Sequence, residues 1–246
     1  MSVVELRRPP RQRLDAPSKP CDCCPLGECR LREFARQSGT MARRELGRGD
    51  YLTDRSTNGC RFWTVKRGTG AISRVLRDGR RQLVSIETTG SVVSGTMATD
   101  DNESSLEALT DCEICDIHFS PTARELHEDP QFVRLRGDLI EKRVQRSAVH
   151  LSVLGRLDSH ERVIFFLASM AAKAGRSGQL VSLPMSREDI ADYLGLNTDS
   201  VSRILTHLRK TGLVRFHSPT EYSLSDWSSI KRRLPISVEA VEQHFL

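Results

Sequence analysis

Long apolar runs are missing from this chain. No stretch of eighteen apolar residues occurs, roughly the least a helix needs to cross a bilayer. The opening residues MSVVELRRPPRQRLD hold no apolar core of signal-peptide size. The expectation is a soluble, cytoplasmic protein with no membrane partner. Catalytic signatures are missing as well. There is no nucleophile–base pairing, no glycine loop for phosphate and no metal-binding histidine motif. The His and acidic residues of ARELHEDP, residues 123–130, have no partners at catalytic spacing, so no enzyme is expected. A strong charge imbalance is absent too. Lys and Arg number 37 against 32 Asp and Glu, a net of +5. That balance permits nucleic-acid binding without demanding it, so the distribution of charge must decide. Arginine dominates the basic set, which favours forked contacts to phosphate or guanine.

What is present begins with cysteine. Four of the seven cysteines fall within CDCCPLGEC, residues 21–29. In a cytoplasmic chain such a cluster points to metal or redox chemistry rather than to a disulfide framework. Residues 1–20, rich in Arg and Pro, read as a disordered arm, and LREFARQSG, 31–39, reads as a helix with a glycine stop. From about 45 to 120 the pattern is one of short strands: FWTVKRG, AISRVLRDGRRQLVSIETTG and CEICDIHFS. Asp-Gly within RDGRR, 77–81, predicts a hairpin. Strands at this spacing suggest a small barrel or roll.

Around Pro121 the period changes. Ile140, Val144, Ser147, Leu151 and Leu154 follow a 4-3-4-3 seam flanked by Glu141, Lys142, Arg143 and Arg146. A helix that pairs with a copy of itself has this pattern, and so does a helix lying on its own domain; the spacing leaves both open. DSHE, 158–161, reads as a helix start with Asp158 as cap and Glu161 reaching back. VIFFLASMAAKAG, 163–175, is apolar on most faces and is expected to be a core helix. The domain junction is placed near Leu157.

Two short amphipathic helices then follow around Gly195. Ser186 with Asp189 marks the first N-terminus, and Ile190, Ala191 and Leu194 its apolar face. Gly195 suits a positive φ, and Leu196 plugs the crevice. Asn197 or Thr198 caps the second helix, whose stripe is Val201, Ile204, Leu205 and Leu208, and Thr211-Gly212 stops it. Asp199, Ser200, Ser202, Arg203 and Thr206 are left facing outward in the half of the helix that enters a major groove. Arginine takes guanine O6 and N7 with two bonds, and a carboxylate accepts from cytosine N4. LVRFHSPTEYSL, 213–224, reads as a two-stranded wing with a Ser-Pro turn. A solvated helical hairpin would explain the stripe alone. Cap, glycine turn, arginine placement and wing together favour DNA binding.

In that order the chain resembles the CRP/FNR superfamily of bacterial transcription regulators. MSREDIADYLGLNTDSVSRILTHLRKTGLV is similar to its DNA-binding signature, and GAISRVLRDGRRQLVSIETTGSVVSG to its roll glycine pattern. The implied fold is α+β, with an N-terminal β-roll sensor of jelly-roll type, a long dimerisation helix and a C-terminal winged helix-turn-helix. The segments are 1–20 (arm), 21–135 (cysteine-bearing roll), 136–157 (dimerisation helix) and 158–246 (DNA-binding domain). The FNR/FixK branch is the nearer one. The stretch GSVVSGTMATDDNESSL has no arginine for a cyclic phosphate, so no cyclic nucleotide is expected.

The resemblance further implies a [4Fe–4S] cluster on Cys21, Cys24, Cys29 and Cys115. The fourth ligand is carried to Cys115 rather than Cys112 because CDIHF resembles the family's strand after that ligand. The spacing here is C-x2-C-x4-C where the family has C-x2-C-x5-C, and Cys23 in place of Cys21 or Cys24 is the alternative. Zinc and direct thiol oxidation are rival uses of the same thiols. Cys60 and Cys112 read as small semi-buried residues. A haem sensor would draw on His118 and His150, which read more simply as ordinary core or surface histidines. The family's Glu-x-x-Ser-Arg is Asp199-Ser-Val-Ser202-Arg203 here. This implies a palindrome related to TTGAT-N4-ATCAA, read by a homodimer that engages RNA polymerase. A cluster-independent, FixK-like regulator whose activity follows its abundance is the second implied reading.

Overall fold

A computed structural model of the chain describes residues 29, 31–53, 60–95, 104–120, 122, 124–173 and 179–244. Cys21, Cys23, Cys24 and the arm of residues 1–20 lie outside them. The chain divides into two compact units, 1–141 and 142–246.

The first unit is built on two antiparallel four-stranded sheets. One contains β1 (Gly39–Leu46), β8 (Cys112–Phe119), β3 (Cys60–Arg67) and β6 (Val92–Ser94), in that order. The other contains β2 (Tyr51–Leu52), β7 (Ser104–Ala108), β4 (Thr69–Val75) and β5 (Arg81–Thr88). Leu46, Trp63, Val65, Val93, Cys112 and Ile114 of the first sheet pack with Leu52, Ile72, Leu106 and Ala108 of the second in one core. The predicted hairpin joins β4 to β5. Val75 pairs with Arg81, and Gly79, at φ 87°, supplies the positive φ that the tip requires.

The first sheet is buried on both faces, so β8 is buried along most of its length although it carries Glu113, Asp116 and His118. The buried Asp116 is paired with Arg44 and Arg61. The second face of the sheet carries Met41, Phe62, Cys115, Ile117 and Phe119. These are covered by Leu31, Phe34 and Ala35 around α1 (Arg32–Ser38), by Leu126 of α2 (Arg124–Glu128) and by Phe132. Phe132 meets Phe34 and Phe119 edge-to-face at 5.2 and 5.1 Å, the arrangement ring quadrupoles favour.

Phe132 belongs to α3, which spans Pro130–Arg156, against 136–157 expected. The earlier start has a local cause. Pro130 occupies the first helical position, where its missing N–H costs nothing. The Asp129 carboxylate accepts from the Gln131 and Phe132 N–H groups at 2.7 and 3.3 Å. An acid of ARELHEDP thus serves as a helix cap. The division between the two units falls within α3.

The second unit is organised around α4 (Ser159–Lys173), whose residues Val163 to Ala171 are all buried. The start is the expected one. Asp158 accepts from the Glu161 N–H at 2.9 Å, and Glu161 accepts from the Asp158 N–H at 2.8 Å. Beyond α4 lie β9 (Val181–Ser182), α5 (Arg187–Leu194), α6 (Thr198–Lys210), β10 (Val214–Ser218), β11 (Glu221–Leu224), α7 (Trp227–Lys231) and α8 (Val238–Gln243). The wing is three-stranded, in the order β10-β11-β9. The two-residue β9 was too short to be seen in the sequence pattern. Tyr222 of β11, fully buried, donates its hydroxyl to the Leu167 carbonyl of α4 at 2.6 Å and so ties the wing to the core helix.

Candidate nucleic-acid interface and cysteine site

The helix pair forms where the sequence places it. Ser186 accepts from the Asp189 N–H at 3.0 Å, and Asp189 accepts from the Ser186 N–H at 2.9 Å, closing a capping box. Gly195 ends α5 in the left-handed region, at φ 62° and ψ 39°. Asn197, rather than Thr198, caps α6 by accepting from the Ser200 N–H at 2.7 Å. Val201, Ile204, Leu205 and Leu208 are buried. Anchoring that stripe leaves Asp199, Ser202, Arg203 and Thr206 exposed, with Ser200 half-buried.

The hydroxyls on this face are already oriented. Ser202 donates to the Thr198 carbonyl and Thr206 to the Ser202 carbonyl, each at 2.9 Å. With its proton committed, each oxygen is left as an acceptor, suited to an exocyclic amino group at a base edge. Arg203 Nη2 lies 3.4 Å from Ser200 Oγ, a weak bond that a guanine could replace.

The structure adds residues that the sequence did not single out. Arg187, Arg209, Phe216, His217 and Ser218 line a groove of about 440 Å³ together with Ser202 and Thr206. The groove therefore joins the recognition helix to the wing. The Arg187 guanidinium stands over the Phe216 ring at 5.4 Å, a favourable cation–π geometry. Burial lowers its pKa from the ordinary arginine value, and among the described residues its Nη1 is buried with no protein hydrogen-bond partner. A buried N–H of this kind gains from an anionic acceptor. The sequence signal was a basic residue at the first position of α5, indistinguishable there from a solvated charge.

Behind the helix pair sits a cluster of rings. His150 of α3 stacks on Tyr193 of α5 at 4.3 Å between centroids, and the Tyr193 hydroxyl shares a 2.5 Å hydrogen bond with His244 Nε2. Phe165 meets His244 at 4.9 Å. Burial lowers His150 to about 4. Burial, then repulsion from a protonated His150 ring and from Arg146, lower His244 to about 3. Both rings are neutral at physiological pH. His150, offered above as a haem ligand, is a packed core residue; His118 on β8 is half-buried.

On α3 the seam residues Ile140, Val144 and Leu151 are 60%, 62% and 72% exposed, and Ser147 is exposed as well. Val133, one heptad before Ile140, is also exposed. Leu154 is half-buried, its Cδ2 3.7 Å from where a Cβ on Gly195 would stand. Among the described residues no helix is long and apolar enough to cross a membrane.

The cysteines divide by strand alternation. Cys112 and Cys115 are three residues apart on β8, so they point to opposite faces. Cys112 enters the core between the sheets and donates its thiol to the Thr69 carbonyl at 3.3 Å; burial raises its pKa. Cys115 is buried in the second cluster, against which Cys29 and Cys60 also pack. Two of the four expected ligands, Cys29 and Cys115, thus border one apolar cluster. That donor chemistry fits an iron–sulfur group shielded from solvent. Among the described residues no three metal-ligating side chains converge.

Known proteins resemble this chain in domain, sequence and structure. Residues 161–233 match the Crp-like helix-turn-helix domain. The nitrogen fixation regulation protein FixK of Bradyrhizobium diazoefficiens is 32% identical over 197 residues, covering 78% of this chain and 81% of that one. A probable transcriptional activator of Rhizobium leguminosarum bv. viciae is 29% identical over 215 residues, covering 86% and 88%. Among solved structures, FixK2 from Bradyrhizobium japonicum superposes with a TM-score of 0.70 at 24% identity, covering 80% of this chain and 99% of that one.

Proposed function

This chain belongs to the CRP/FNR superfamily as a FixK-type regulator, and from that premise we propose that it is a homodimeric transcription activator reading a palindromic site in duplex DNA. The exposed face of α6 carries the reading. Arg203 takes a guanine through its forked donors, Ser202 and Thr206 offer oriented acceptors, and Asp199 and Ser200 flank them near the N-terminus of the helix. Arg187 and the wing groove supply phosphate contacts, supported by the buried Nη1 at its wall, which has no protein partner among the described residues.

Dimerisation uses the α3 seam. Ile140, Val144 and Leu151 are large apolar side chains left in water, and Ser147 keeps the seam narrow. A second copy of α3 removes that apolar area from solvent. Two recognition helices in one dimer then read two half-sites about one helical turn apart. RNA polymerase is the partner at the promoter, and the site of action is the cytoplasm.

Control by oxygen is the finer part of the reading. Cys29 and Cys115, with Cys21 and Cys24, would hold a [4Fe–4S] cluster, which supplies iron–thiolate bonds that break on exposure to oxygen. The chain's own part is to pack Cys29 and the start of α1 against Cys115, Phe119 and Phe132, screening the thiolates from water. A cluster-independent regulator is the second reading. It keeps the same DNA interface.

The test is binding of the full chain to a TTGAT-N4-ATCAA duplex, a single half-site and a scrambled duplex, with and without oxygen. Selective binding to the palindrome is expected, weakened by air. Equal affinity for palindrome and scramble would overturn the DNA reading. Air-insensitive selective binding would overturn only the cluster.

A further inference from the structure

Arg162, near the start of α4, makes three hydrogen bonds, and all three go to backbone carbonyls at the ends of other helices. Its Nη2 donates to Leu154 O at 2.7 Å and its Nε to Leu157 O at 3.0 Å, both at the C-terminus of α3. Its Nη1 donates to Leu194 O at 3.1 Å, the last carbonyl of α5. Helix C-termini leave carbonyls unsatisfied and carry partial negative charge, so one cation here satisfies two helix ends together. The planar guanidinium fixes the directions of its donors relative to one another. Two helix ends bound to one such fork are held at a set angle.

The turn is shaped around this clamp. A Cβ on Gly195 would stand 3.7 Å from Arg162 Nη1 and 3.7 Å from Leu154 Cδ2. The seam helix, the guanidinium and the turn of the helix-turn-helix therefore meet at one point. Only Gly195, Leu196 and Asn197 separate α5 from the recognition helix α6. Any swing of α6 relative to the end of α3 has to break bonds to Arg162.

We propose that Arg162 is a positioning residue that sets the spacing between the two half-sites the dimer accepts. This rests on the dimeric reading above and deepens it. With α3 as the seam, the angle at which α5 leaves α3 fixes the distance between the two recognition helices. The affinity of one DNA-binding unit for one half-site does not depend on that angle. The clamp therefore acts on discrimination among spacers and not on base reading.

The experiment uses the full chain, purified without oxygen, and measures fluorescence anisotropy on a single half-site and on palindromes whose central spacer varies around four base pairs. Wild type should prefer one spacer. Arg162→Met keeps the apolar stem and removes every donor. It should lose about tenfold in affinity for the preferred spacer, and its preference over neighbouring spacers should collapse toward one. Half-site affinity of the folded protein should stay close to wild type, while the melting temperature falls because three carbonyls lose their donor. Arg162→Lys, with one compact donor group, should fall between the two.

Wild-type spacer ranking in Arg162→Met would overturn the proposal. So would equal loss on half-site and palindrome, which marks a role in folding alone. If the methionine variant does not fold, an unchanged ranking in Arg162→Lys overturns it in the same way. Wild-type protein that binds the palindrome no better than one half-site would instead overturn the dimeric reading beneath it.

Discussion

Acid should loosen the DNA-binding unit in a defined window, through the ring cluster of His150, Tyr193, His244 and Phe165. His150 is held at about 4 and His244 at about 3, both below the ordinary value of 6.5. A histidine whose folded pKa is depressed favours the folded state in its neutral form. The unfolded chain takes up the proton first, so stability is complete above pH 6.5 and falls as pH drops toward 4. Each pKa unit is worth about 1.4 kcal/mol. At pH 5, about 1.5 units below the unfolded value, each histidine costs about 2 kcal/mol, and the pair about 4. Marginally stable domains feel a loss of that size. Arg146 is part of the depression at His244, because its positive charge faces that ring. The assay is denaturant unfolding between pH 7.5 and 5, read by amide hydrogen exchange in α4 and α5. His150→Phe keeps the stack on Tyr193 and removes one titrating group, so it should lose about half of the pH dependence. An identical slope in wild type and His150→Phe, or a flat profile in wild type, would refute the assignment.

Four further outcomes follow from the same geometry. Arg203→Ala should cost about 1–3 kcal/mol of specific binding and relax selectivity at one guanine, leaving affinity for scrambled DNA unchanged in the same titration. Gly195→Ala forces a side chain into the left-handed region at φ 62° and should lower stability by about 1 kcal/mol, read as a fall in melting temperature. Leu151→Glu on the exposed seam should shift the dimer to monomer in sedimentation while half-site binding persists. Cys115→Ser should abolish oxygen-dependent control and leave a folded protein, with Cys112→Ser as the contrasting variant that keeps it.

Local chemistry made much of this legible from the sequence. Ser186, Asp189, Gly195 and the stripe Val201–Leu208 act within a few residues of one another, so cap, turn and buried face could be read from spacing. The seam of α3 was visible for the same reason, although the pattern alone could not distinguish a partner copy from a home domain. What escaped depends on contacts between distant segments. Arg187 acquires meaning only when the wing brings Phe216 beneath it, and Arg162 only when the ends of α3 and α5 arrive at its fork. The opposite placement of Cys112 and Cys115 was available in principle, since a three-residue step on a strand reverses the face. It required knowing that both faces of β8 are buried, by the second sheet on one side and by α1 and Phe132 on the other. The start of α3 was missed because the helical period weakens before Asp138, where the cap on Asp129 and Pro130 sustains the helix instead.

We propose that DNA reading by α6 is joined to a [4Fe–4S] cluster on Cys21, Cys24, Cys29 and Cys115. The most direct test is a titration of a TTGAT-N4-ATCAA duplex with protein purified without oxygen, with iron and acid-labile sulfide assayed on the same sample before and after air. The account predicts about four irons and four sulfides per chain and selective binding, both lost together in air. Selective binding by protein that holds neither iron nor sulfide would contradict the cluster and leave a FixK-type regulator controlled by other means.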